Sequence, residues 1–92
     1  MVLRPLTNGK VTGTQTLTVP MGIIGGILIS ADSTNAAAVT IQRDDSSGMF
    51  MMDISTKIPM WIAAPLSLER TTRAYVSVSG TGASAQFYEW VE

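Results

Sequence analysis

The chain contains no cysteine and no histidine, and only 14% of its 92 residues are charged. Without cysteine, disulfides and thiolate metal sites are excluded. Without histidine, the commonest general base and the commonest metal ligand are lost together. The few charges nearly cancel, with six Lys and Arg against seven Asp and Glu, for a formal net charge of −1. Lys10, Lys57, Arg4, Arg43, Arg70 and Arg73 are scattered, so no basic stretch offers a nucleic-acid footprint. The longest apolar stretch, residues 21–29, is far shorter than the ~20 residues that span a bilayer. The opening MVLRPLTNGK has no apolar core of signal-peptide length. Membrane insertion is therefore not expected.

What is present is apolar and hydroxylic. Residues of the apolar class make up 46% of the chain, in a length that suits one domain. Small domains have much surface, so this few charges leave neutral or apolar area exposed. Either a second copy or partner covers it, or Ser and Thr make it wettable.

Two apolar runs, residues 23–29 and 36–41, each end in turn formers, at 32–35 and 44–48. Short apolar runs bounded by Asp, Ser, Asn and Gly indicate antiparallel strands. Residues 10–19 alternate, with Thr12, Thr14, Thr16 and Thr18 on one face and Val11, Gln15, Leu17 and Val19 on the other. Residues 71–79 alternate as cleanly, placing Ala74, Val76 and Val78 inward. The turn Gly80-Thr81-Gly82 then predicts a hairpin return over 83–91. Gly25-Gly26, inside an apolar run, predicts a bulge or a close backbone approach. The segment 60–68 contains Pro65 and reads as an edge strand or extended loop. No segment keeps a helical period. The expectation is all-β: a small antiparallel β-sandwich, jelly-roll or Ig-like, of six to seven strands. Residues 1–9, with breakers Pro5 and Asn8-Gly9, read as an N-terminal arm, and 10–92 as the single sandwich domain.

Catalytic chemistry finds no carrier. Asp32, Asp44, Asp45 and Asp53 lack EF-hand spacing and read as turn-forming residues rather than calcium ligands. Serines abound, but no histidine serves as base, and there is no phosphate-binding GxxxxGK[ST] loop. No catalytic residue, cofactor or metal is expected. Aromatics crowd the last strand, where Phe87 shares a face with Ala83 and Ala85 while Tyr88 and Trp90 point the other way. Tyr and Trp dominate interface hot spots, so Tyr88 and Trp90, with the arm residues Val2, Leu3 and Leu6, form the candidate interface. Intrachain packing is the competing reading. Met49, Met51, Met52 and Met60 serve either as core filler or as an adaptable patch.

Laid end to end, three stretches resemble one group of proteins. These are GGILISADSTNAAAVTIQRDDSSG (25–48), DISTKIP (53–59) and AYVSVSGTGASAQFYEW (74–90). They are similar to the small all-β structural proteins of the head and tail of tailed bacteriophages and prophages. The resemblance implies a β-sandwich, symmetric assembly as a trimer, pentamer or hexamer, contact with other virion proteins, and a place on capsid or tail after synthesis in the bacterial host cytoplasm. It brings no catalytic residues. The alternative is a carbohydrate- or receptor-binding module, with Trp61, Asp32 and Asn35 as candidate ligand residues.

Overall fold

Burial follows the period-two alternation strand by strand. In the computed structural model, which describes residues 2–63 and 65–91, all regular structure is β. The strands are β1 (Val2–Val11), β2 (Thr14–Thr18), β3 (Ile23–Ser30), β4 (Ala37–Arg43), β5 (Phe50–Thr56), β6 (Met60–Ile62), β7 (Leu66–Ser67), β8 (Arg73–Ser79) and β9 (Ser84–Val91). Ala74, Val76 and Val78 of β8 are buried, as are Ala37, Val39 and Ile41 of β4 and Ala85 and Phe87 of β9. Their neighbours in sequence face away, because successive side chains on a pleated strand point to opposite sides.

The strands form two antiparallel sheets. The first has the order β1-β9-β3-β6, with β7 also pairing β3, and the second the order β2-β8-β4-β5. The pairings are nested: β4 with β5, β3 with β6, β2 with β8, and β1 with β9. Two further ladders, β3 with β9 and β4 with β8, join the nested pairs into sheets. Leu6, Val11, Ile24, Ile27, Ile29 and Phe87 from the first sheet meet Leu17, Val39, Ile41 and Val76 from the second in one hydrophobic core. The Cα radius of gyration is 12.2 Å, about that of a compact chain of this length.

Several expectations need correction. The segments 71–79 and 83–91 do not form a hairpin: β8 and β9 lie in different sheets, and the 80–82 turn crosses between them. Nine strands replace six to seven, because the 10–19 segment breaks at Thr12-Gly13 and the 60–68 segment splits in two. The boundary at residue 9 has no counterpart, since β1 runs through it and pairs with β9 inside the same chain. The expected arm is thus a sheet strand, and its breakers make a bulge. Pro5 lies opposite Tyr88 and Lys10 opposite Gln86, so residues 6–9 face only Phe87. Asn8 takes a φ of 58° within this bulge, a left-handed conformation that Asn tolerates better than most residues. Met1 and Glu92, at the ends of the expected arm and domain, lie outside the described residues, as does Ala64 within 60–68.

Gly25 is the extra residue of a second bulge: Ile24 lies opposite Glu89 and Gly26 opposite Tyr88. This one-residue shift keeps Ile24, Ile27 and Ile29 all facing the core. The continuous apolar run therefore conceals a strand with one outward face. Leu28 points outward and is 41% exposed.

Phe87 is the largest fully buried side chain, and it sits opposite Ile27 at the centre of the first sheet. Phe87→Ala should lower unfolding free energy by about 3–5 kcal/mol, measured as a drop in urea midpoint at unchanged slope.

Candidate functional site

The two outward faces of the sandwich differ in chemistry. On the second sheet the outward positions include Thr14, Thr16, Thr18, Thr40, Asp53, Ser55, Ser77 and Ser79. Thr14 Oγ1 and Ser77 Oγ are 3.3 Å apart across the β2–β8 ladder. Hydroxyl groups predominate on this face, with Tyr75 and Phe50 also at outward positions. On the first sheet the register places Leu3 opposite Trp90, Pro5 opposite Tyr88, and Leu28 opposite both Gln86 and Trp61. The result is an aromatic and aliphatic face across four strands.

Glycine lets those side chains approach the sheet closely. A Cβ on Gly25 would fall 2.5 Å from Leu3 Cδ1 and 2.8 Å from Trp90 Cδ1. A Cβ on Gly26 would fall 2.5 Å from Trp61 Cη2 and 3.0 Å from the Ile62 carbonyl. Both expected roles of the glycine pair are therefore realised, the bulge and the close approach. Trp61 packs edge to face against Tyr88, with centroids 5.1 Å apart and ring planes at 83°, the geometry that aromatic quadrupoles favour. Trp61 remains 43% exposed.

Of the candidate interface residues, Leu3, Tyr88 and Trp90 share this outer face, and Val2 is exposed near the start of β1. Leu6 does not belong with them. It is 5% exposed and part of the core, because the β1 bulge turns it inward. Phe50 and Met49 are exposed at the other sheet's β4–β5 turn, while Met51 and Met52 pack against the core. The methionines thus divide between filler and surface. Leu28 belongs to the apolar face and was hidden in the sequence by its all-apolar neighbours. Glu89 and Arg4, which are bonded to each other across the β1–β9 ladder, were also missed. Their signal was a charged residue two positions after Phe87, at core parity.

The candidate ligand residues are not brought together. Asp32 lies four residues beyond the Leu28–Trp61 pair, about 13 Å along an extended chain. Its carboxylate is turned on its own loop: Oδ1 accepts from the amides of Thr34 (2.9 Å) and Asn35 (2.7 Å), and Oδ2 from Asn35 Nδ2 (3.0 Å). The backbone and side-chain bonds from Asn35, then the Thr34 amide, hold the Asp32 carboxyl below the ordinary range. Asp45 is lowered in the same manner, first by the Ser47 hydroxyl and then by the Ser47 amide. Asp44 is a strut: its Oδ1 accepts from Thr71 Oγ1 at 2.9 Å and pairs with Arg73 at 2.8 Å. All three aspartates act in turns, and no cluster among the described residues has the donors to hold a metal ion. Among the described residues, no helix is long and apolar enough to cross a membrane.

No protein-family model, curated protein or solved structure matches the chain.

Two outcomes follow from this geometry. Gly26→Ala should push Trp61 off Tyr88, read as lost aromatic intensity in the near-ultraviolet circular dichroism while the far-ultraviolet strand signal persists. Unchanged aromatic signal would mean that the close approach is unimportant. The second concerns acid. Because the folded-state pKa of Asp32 is lowered, its ionised form stabilises the fold above the ordinary Asp value of about 3.9. That contribution is lost as pH falls through the folded pKa. Asp32→Asn should therefore melt below wild type at neutral pH, with the gap closing under acid; a gap independent of pH would refute a role for the charge.

Proposed function

We propose that the chain is a non-enzymatic structural subunit of a bacteriophage virion, which assembles with copies of itself and docks on capsid or tail. The observation that carries this reading is the contrast between the two outer faces. One is dressed mainly in Thr and Ser, with Tyr75 and Phe50 among them, and the other presents Leu3, Leu28, Trp61, Tyr88 and Trp90. A contiguous apolar sheet face with central aromatic residues is the composition of a subunit contact rather than of a wetted surface. The low charge of the whole chain agrees, since charged residues are depleted at interface cores.

The nested strand pairing supports a jelly roll over an Ig-like sandwich. Four pairs, β1 with β9, β2 with β8, β3 with β6 and β4 with β5, read as one long hairpin wrapped into two sheets. Double-sheet jelly rolls are used by viral capsid domains among others. Fold alone does not assign a function, so the weight rests on the face and on the resemblance of residues 25–48, 53–59 and 74–90.

Light scattering across a dilution series should give a closed oligomer, with a trimer, pentamer or hexamer matching the symmetry sites of a virion. Leu28→Lys puts a charge on the apolar face at an already exposed position. It should weaken assembly at least about tenfold, or ~1.4 kcal/mol, while leaving the melting temperature of the monomer nearly unchanged. A wild-type monomer at every concentration would overturn self-assembly, and full assembly by Leu28→Lys would move the contact to another face.

A further inference from the structure

The strand that carries the outer-face aromatics also buries a carboxylate. Glu89 occupies a core-facing position of β9, in line with Ala85 and Phe87, and is 3% exposed. Its Oε2 accepts from Arg4 Nε at 3.2 Å. Its Oε1 is buried and accepts no hydrogen bond from the described residues. A carboxylate removed from water with one hydrogen bond is left short of donors, so a further donor at this side chain is favoured.

Open space lies beside this side chain. Glu89 forms part of the wall of a cleft of about 350 Å³ between β1 and β2, within the range of about 300–1,000 Å³ common for small-ligand sites. Both strands are sheet edges. The bulge at residues 6–9 carries β1 away from regular pairing with β9 and delivers Asn8 to the cleft. Across from it, β2 contributes Gln15 and Thr16. Gln15 Nε2 donates to the Asn8 carbonyl at 2.9 Å, which leaves Gln15 Oε1 as an acceptor. Arg4 is exposed and uses only Nε in its described bond, so its two terminal nitrogens remain donors.

The chemistry of this lining selects among ligands. Arg4 and Glu89 cancel in charge, so an amine would bring an uncompensated positive charge. A metal ion would find only one carboxylate, where hard cations need several oxygens. Hydroxyl groups donate and accept at the same atom, as Thr, Asn and Gln side chains require of a partner. We propose that the cleft between β1 and β2 binds a neutral polyhydroxylated ligand, the size of one or two sugar rings, with one ligand hydroxyl donating to the Glu89 carboxylate and another accepting from the Arg4 guanidinium. The site lies apart from the aromatic face and is independent of the assembly reading.

The test is a titration of the isotope-labelled full chain with D-glucose, D-galactose, N-acetyl-D-glucosamine and lactose, followed in amide correlation spectra, with methylammonium chloride as the cation control. At least one sugar should give saturable shifts at the amides of Gln15, Thr16 and Glu89, with the indole signals of Trp61 and Trp90 unmoved. Glu89→Gln should weaken that binding at least about tenfold. Gln15→Ala, at a half-buried edge position, should also weaken it and decides the matter if Glu89→Gln does not fold. No shift with any of the sugars, shifts with methylammonium instead, shifts confined to the indoles, or undiminished binding by Gln15→Ala would each overturn the proposal.

Discussion

The alternation of side chains along β9 is the constraint on which the rest of the molecule depends. β9 pairs with β1 on one side and β3 on the other, so its pleat sets the facing of every neighbour in the first sheet. Ala85 and Phe87 point into the core, and Glu89 on the same side reaches the cleft. Tyr88 and Trp90, one residue out of step, point to the outer face. A one-residue slip would exchange these sets, exposing Phe87 and burying Trp90 against Val39 and Ile41. Both bulges of the first sheet, at Gly25 and at residues 6–9, are register adjustments made against this strand.

The few charges are spent at the margins of the sandwich. Asp44, Arg73 and Thr71 tie the β4–β5 turn to the start of β8. Arg43 and Glu69 pair at 3.5 Å near the same end. Such exposed pairs contribute little individually, and their role here is to orient turns. Asp32 and Asp45 fold their loops over themselves through Asn35 and Ser47. With most of the acidic groups occupied in this way, the broad faces of the sheets are left mainly to neutral residues, chiefly hydroxylic on one side and apolar on the other.

Much of the core was legible in the sequence. The alternation at 71–79 and 83–91 placed Ala74, Val76, Val78 and Phe87 inward, and the pair Gly25-Gly26 marked a bulge with close packing. The failures have physical causes. Residues 1–9 looked like an arm because Pro5 and Asn8-Gly9 interrupt alternation, yet such breakers are also how a strand accommodates a bulge. Leu6 was assigned to an interface because an arm has no inside; once β1 is a strand, parity and the bulge bury it. Leu28 was hidden because a run of apolar residues reveals no facing by itself. Asp32 and Asn35, offered as ligand residues, bond each other, and they lie well beyond Trp61 along the strand.

By itself, the sequence determined the class of structure, the faces of the cleanly alternating strands and the chemistries that are missing, because side-chain period and composition are local properties. Without histidine or cysteine, thiolate chemistry is excluded and imidazole chemistry with it, whatever the fold. Tertiary structure alone decided which strands pair, how the nested hairpin is wrapped, and which residues from distant segments meet. Gly25, Trp61 and Trp90 form one face through β3 pairing with β6 and β9, and Leu3 joins it, as Arg4 joins Glu89 in the cleft, because β1 closes against β9. That closure is governed by contacts between the two ends of the chain, which no local pattern records.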